Sequence, residues 1–152
     1  MTSGQPHVVV GIDDSSTARR ALRWAMAEAA GLGVELDVVH VYSVPVVLTP
    51  PLRIPPTSTE ADREHDAYEL LGRLTSEALA VSAKHPPDIQ RIAVQGTQPG
   101  RVLVTCAKPD DVLVVGSRGR GPVASSLLGS ASHYCVHHAP CRVVVIPPGP
   151  EA

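Results

Sequence analysis

His7 to Tyr42, HVVVGIDDSSTARRALRWAMAEAAGLGVELDVVHVY, decides the fold. It opens with HVVVGI at His7–Ile12, a β-branched run that suits a strand buried on both faces, as in a parallel sheet. Asp13-Asp14-Ser15-Ser16 follows, a cluster of residue types that cap helix N-termini. Ala18, Leu22, Ala25, Met26 and Ala29 then recur at helical spacing, and Gly31 and Gly33 supply the stop. Val34–Tyr42 (VELDVVHVY) reads as a second strand. Two strands joined by a helix of about four turns make a βαβ unit, which fixes a parallel pair and a right-handed crossover.

The same alternation continues to the C-terminus. Ser43–Thr59 interrupts it with five prolines in 17 residues (Pro45, Pro50, Pro51, Pro55, Pro56), a density that no helix or central strand survives. It is a loop too long to be a mere connection. Glu60–Lys84 carries Ala67, Leu70, Leu71, Leu74, Ala78 and Val81 at helical spacing, with Pro86-Pro87 expected to end it. Asp88–Gln95 is a third strand, Arg101–Ala107 a short helix with Pro99 near its first turn, and Asp111–Val115 a fourth strand. Ser130–His138 is helical and Arg142–Ile146 (RVVVI) is the fifth strand. The pattern predicts an α/β three-layer sandwich: a five-stranded parallel sheet with four helices, in the order 3-2-1-4-5. Residues 1–152 are expected to form one domain, with an ordered core over 7–146 and a proline-rich loop at 43–59.

Composition narrows the function classes. Of 152 residues, 43% are hydrophobic and 18% charged, which excludes wholesale disorder. Thirteen Lys+Arg against fifteen Asp+Glu give −2, without the basic excess of a nucleic-acid-coating protein. No window reaches 18 uninterrupted apolar residues, and residues 1–5 lack a basic region followed by an apolar core. A cytoplasmic protein without membrane or nucleic-acid partners is the expectation. Phe is absent and only Trp24, Tyr42, Tyr68 and Tyr134 are aromatic, so the core must be aliphatic. Cys106, Cys135 and Cys141 are odd in number and show no C-x-x-C spacing, which suits small buried hydrophobes in a reducing compartment.

In open parallel sheets ligands bind beyond the carboxyl ends of the strands, where the strand order reverses. For order 3-2-1-4-5 that point lies between strands 1 and 4, so Ile12-Asp13-Asp14 meets Gly116-Ser117-Arg118-Gly119. The second stretch continues as Arg120-Gly121 and closes with Gly129-Ser130 at the start of a helix. Such glycines can take φ > 0 and admit a ligand close to the backbone, and consecutive N–H groups make an anion site. A helix start adds unpaired N–H groups, Ser130 and Ser132 add hydroxyls, and Arg118 and Arg120 add charge, all of which suit phosphate. Tight packing of a turn explains the glycines equally well. Neither a Walker A motif nor a first-turn G-x-G-x-x-G is present.

The spacing Gly-x2-Gly-x9-Gly-Ser, here Gly116, Gly119, Gly129 and Ser130, resembles the ATP-binding motif of the universal stress protein (UspA-like) family. VVVGIDDSSTARRALRWA at 8–25, VVHVY at 38–42, DVLVVGSRGRG at 111–121 and HHAPCRVVVI at 137–146 extend the resemblance across nearly the whole chain. The resemblance implies an adenine-nucleotide α-hydrolase-like fold and roles for individual positions. Asp13 would sit by ribose and adenine, with Ile12 beside it at the strand end. Val41 would read the adenine edge through its backbone. Gly116, Gly119, Gly129 and Ser130 would cradle ribose and phosphates, with Ala131 and Ser132 completing the phosphate site. Mg²⁺ would travel with the ATP. The fifth strand, Arg142, Val143, Val144, Val145 and Ile146, would pair with its copy in a homodimer.

Two departures stand out. The family's usual Asp-Gly-Ser turn reads Asp13-Asp14-Ser15, and Arg142 stands where Pro is usual. A carboxylate facing a phosphate charge at about 6 Å would cost about 3 kcal/mol at an effective dielectric of about 20. Asp14 would then weaken ATP, or would itself hold a metal.

Other candidates have plainer readings. His133 and His137 share a helix face, with His138 beside them, but no third metal ligand is evident nearby, and no metal site is assigned. His40 reads as a hydrogen-bonded strand residue. No nucleophile stands beside Asp13, so no catalytic residue is assigned and at most slow ATP hydrolysis is expected. Three functions follow: ATP binding as a regulatory ligand in a stress response, a nucleotide-independent interaction module using segment 43–59, or binding of another adenine nucleotide such as cyclic AMP.

Overall fold

The computed structural model describes residues 4–44, 59–82, 85–119 and 128–150. The proline-rich segment 45–58, Lys84, Arg120 and Gly121 lie outside the described residues. The chain runs β1 (Val8–Gly11), α1 (Ser16–Leu32), β2 (Leu36–Tyr42), α2 (Glu60–Ala80), β3 (Ile89–Gln95), α3 (Pro99–Cys106), β4 (Val112–Gly116), α4 (Ser130–His138) and β5 (Arg142–Ile146).

All strands are parallel, in the order β3-β2-β1-β4-β5. This is the expected three-layer sandwich. β1 sits at the centre, with Val8 level with Leu36 of β2 and Val112 of β4. The absence of polar alternation in β1 has a direct cause. Val8 and Val10 pack among the apolar residues of α1 and α2, while Val9 packs with Leu103 of α3 and Cys135 of α4. In β4, Val112 and Val114 face the first pair of helices, and Leu113 and Val115 the second. Both faces are covered, so every position must be apolar.

The helices start and stop for local reasons. The Ser15 hydroxyl accepts from the Ala18 N–H and caps α1. Gly33 ends α1 in the left-handed conformation (φ 68°), returning its N–H to the Ala29 and Ala30 carbonyls. Gly31 is an ordinary residue of the last turn, so only Gly33 acts as the stop. Thr59 and Asp62 form a reciprocal capping box at the start of α2.

The end of α2 differs from the sequence expectation. The helix stops at Ala80, well before Pro86-Pro87. The Val81 and Ser82 amides bond the Ala78 and Leu79 carbonyls three residues back, and the Ser82 hydroxyl also donates to Leu79 O. That tightening ends the α-helix without proline.

The core is aliphatic, as the missing Phe requires. Its largest fully buried side chains include Leu22, Met26, Leu36, Leu71, Leu74 and Leu113. Trp24 and Tyr68 sit at the surface. Among the described residues, no helix is long and apolar enough to cross a membrane. β5 pairs with β4 on one side only; among the described residues its outer edge meets no other strand.

Candidate functional site

The strand order reverses between β1 and β4, and a cleft of about 270 Å³ opens beyond their carboxyl ends. All ten residues singled out in the sequence line it: Ile12 and Asp13 after β1, Val41 of β2, Gly116, Arg118 and Gly119 after β4, and Gly129, Ser130, Ala131 and Ser132 at the start of α4. The sequence reading missed the apolar floor, made by Val39, Val115, Leu103 and Pro99. These read as core residues because their chemistry is that of core residues. Only the topology shows that they end at an opening.

Steric demand, rather than backbone dihedral, explains the glycines. Among the described residues only Gly33 has a positive φ, so Gly116, Gly119 and Gly129 do not use the left-handed conformation open to them, and the tight-packing reading accounts for them. A Cβ on Gly116 would lie 2.8 Å from Thr17 Cγ2, and one on Gly119 would lie 2.9 Å from Asp13 Oδ2. A Cβ on Gly129 would be 3.4 Å from Ser117 O. The loop therefore returns on itself closely, held by the Gly129 N–H donating to Ser117 O at 2.6 Å.

The start of α4 is the polar centre of the cleft. Gly129 is the N-cap and has no side chain to satisfy the first amides. By helix geometry the N–H groups of Ser130, Ala131 and Ser132 have no acceptor within the helix. They present unpaired donors and the positive end of the helix dipole to one wall of the cleft. Ser132 contributes differently from its sequence reading. It is buried, and its single hydroxyl proton is shared between the carbonyls of Ser117 (3.1 Å) and Gly129 (3.0 Å). It fastens the loop to α4, leaving its amide as its donor toward the cleft.

Asp13 and Asp14 diverge. Asp13 Oδ1 accepts from the Ser15 N–H at 3.0 Å and shapes the turn, while Oδ2 faces Gly119. Asp14 does not line the cleft. Its carboxylate is held outside by Arg19 at 2.7 Å and Arg73 at 3.4 Å. Its carboxylate thus faces two guanidinium groups rather than the cleft. His40 stands behind the strand end, its Nδ1 2.8 Å from Ile12 O. A carbonyl only accepts, so Nδ1 carries the proton.

The remaining candidates lie elsewhere. The His133 and His137 rings are 4.5 Å apart on α4, and among the described residues no group of three or more His, Cys, Asp or Glu could hold a metal. Cys135 is fully buried between α3, α4 and the sheet, and burial pushes its thiol up to about 11. Burial also raises Cys106 and Cys141. Thiols held protonated are poor nucleophiles. Lys108 Nζ lies near Gly4, which precedes β1 and so sits at the opposite end of the sheet. A smaller hollow of about 160 Å³ lies between α1 and the end of α2, lined mainly by apolar residues such as Met26, Ala30 and Ala78.

Comparison with known proteins places this architecture. Residues 6–147 match the model of the universal stress protein family. A universal stress protein of Mycobacterium tuberculosis is 32% identical over 142 residues, 93% of this chain and 48% of the relative. One from Thermus aquaticus is 32% identical over 142 residues, 91% of this chain and 96% of the relative. This chain spans about half the length of the mycobacterial relatives it matches. Among solved structures, universal stress protein UspA from Lactobacillus plantarum superposes with a TM-score of 0.76 at 25% identity, covering 93% of this chain and 97% of that one. A universal stress protein in complex with cAMP gives 0.69 at 26% identity, covering 95% and 98%. The universal stress protein from Archaeoglobus fulgidus in complex with dAMP gives 0.64 at 25%, covering 94% and 98%. With the motif, the strand order and the cleft all in agreement, this chain belongs to the universal stress protein family.

Proposed function

We propose that this protein binds an adenine nucleotide in the cleft between β1 and β4, with ATP, carried with Mg²⁺, as its regulatory ligand. The observation that carries the reading is the convergence of Asp13, the Gly116/Gly119 loop and the uncapped start of α4 on one cleft. The apolar floor suits a base, Asp13 Oδ2 suits a ribose hydroxyl, and the Ser130–Ser132 amides and Arg118 suit phosphate oxygens. The complexes of relatives with cAMP and dAMP support the adenine part of the assignment. Mg²⁺ would neutralise phosphate charge, with the chain's own contribution coming from neutral amides and Arg118.

We assign no catalytic role. One Asp13 oxygen is committed to the Ser15 amide, and Lys108 is at the wrong end of the sheet. Turnover is expected well below the ordinary ~1–10³ s⁻¹ of enzymes. The outer edge of β5 suits pairing with a second copy, which makes a homodimer part of the proposal. A cytoplasmic place of action fits the free cysteines.

Thermal unfolding with and without millimolar Mg·ATP tests the reading, with cyclic AMP as a competitor. A ligand at about 100 times its Kd adds about 2.7 kcal/mol, a rise of roughly 5–10 °C in a domain of this size. A rise with cyclic AMP and none with Mg·ATP moves the assignment to the monophosphate. No rise with any adenine nucleotide favours a nucleotide-independent interaction module.

A further inference from the structure

We propose that Arg73 and Arg19 neutralise the additional carboxylate of Asp14 and so set how strongly the cleft favours polyphosphorylated over uncharged adenine ligands. The inference rests on the adenine-nucleotide reading above. Two adjacent carboxylates occupy the turn after β1, one residue apart in sequence and opposed in direction. Asp13 offers an oxygen to the cleft. Asp14 points out of it and is shared by two guanidinium groups: Oδ1 lies 2.7 Å from Arg19 Nη2, and Oδ2 lies 3.4 Å from Arg73 Nη2. Arg19 Nη1 also donates to the Asp14 carbonyl at 3.2 Å, and Arg19 Nε donates to Glu77 at 3.2 Å. Asp14, Glu77, Arg19 and Arg73 together carry no net charge.

These side chains remain 33–56% exposed, so the ion pairs themselves contribute little to stability. Their consequence is electrostatic. Without Arg73 the turn that bears Asp13 gains an uncompensated negative charge. The cost to a ligand scales with the ligand's own charge and falls with ionic strength. ATP feels it and adenosine does not. Arg73, brought from α2, is therefore a positioning and charge-compensating residue that touches no ligand.

The test is the ratio of ATP to adenosine affinity, measured by titration calorimetry at low and high salt. At low salt Arg73→Ala is expected to weaken ATP about threefold and Asp14→Asn to strengthen it by about the same factor. The double variant returns to the unaltered value, Arg73→Lys rescues, and high salt erases all the differences. Adenosine affinity stays constant throughout, which a merely structural role would not produce. A ratio that does not move in Arg73→Ala, or equal losses for both ligands, overturns the proposal while leaving the adenine site intact. Mg²⁺-dependent loss of ATP in Asp14→Asn overturns it in favour of a metal-ligating Asp14. If the unaltered protein binds neither ligand, the functional reading fails and this proposal falls with it.

Discussion

Gly119→Ala isolates the role of the loop after β4 in a single methyl group. The backbone at Gly119 does not occupy the left-handed region, so alanine brings no dihedral penalty. The whole effect comes from space. The new Cβ would sit 2.9 Å from Asp13 Oδ2, well inside contact distance. Asp13 cannot swing freely, because its other oxygen holds the Ser15 amide at 3.0 Å. Either that bond lengthens, at a cost of about 0.5–1.5 kcal/mol, or the carboxylate turns away and the oxygen offered to the cleft is lost. Gly119 is exposed, so the loop can give, and the melting temperature without ligand is expected to fall by no more than about 2–4 °C. Binding is expected to be hit harder, since the displaced oxygen and the narrowed cleft both lie on the side proposed for the ribose. Loss of one hydrogen bond worth about 1.4 kcal/mol is a tenfold rise in Kd. Titration calorimetry with Mg·ATP beside unfolding scans of the unliganded variant separates the two effects. An unfolding temperature lowered by 10 °C with affinity unchanged would refute the reasoning and mark the loop as purely structural.

Other outcomes follow from the same geometry. Gly33→Ala places a Cβ on a left-handed residue and should cost about 1–2 kcal/mol, read as a lower unfolding midpoint in urea with an unchanged slope. Ser15→Ala removes the α1 cap and should cost about 1 kcal/mol in the same assay. Leu22→Ala empties a fully buried site between α1 and the sheet, for about 2–5 kcal/mol. Cys135 titrates near 11 when folded and nearer 9 when unfolded, so the native state holds its proton longer. Stability should therefore be unaffected below pH 9 and should fall between pH 9 and 11. Cys135→Val should flatten that slope in thermal scans across the range.

What the sequence disclosed, and what it withheld, follows the range of the interactions involved. Val8-Val9-Val10 and Val112–Val115 could be read as central strands because burial on both faces leaves no room for a polar residue. The strand order then located the cleft, and Gly116, Gly119 and Gly129 marked its wall because the close approach to Thr17, Asp13 and Ser117 there leaves little room for a Cβ. Other features depend on partners distant in the chain. Asp14 is held by Arg19, five residues on, and by Arg73 on α2, and the second of these partners leaves no signal near Asp14 in the sequence. The Ser132 hydroxyl is consumed by the Ser117 carbonyl across the loop. The early end of α2 comes from Ser82 bonding back to Leu79, a choice that competes with the more conspicuous prolines. Leu103 and Val115 look like core in sequence and are core, except for the surface each shows to the cleft.

The central claim is that the first amides of α4 and the glycine loop hold a nucleotide's phosphates and ribose. The most direct measurement is a two-dimensional amide NMR titration of the labelled protein with Mg·ATP. The account predicts the largest shifts at the N–H groups of Ser130, Ala131, Ser132, Gly116 and Gly119, saturating together. Unmoved α4 amides at millimolar nucleotide, or shifts confined to another face of the protein, would contradict it.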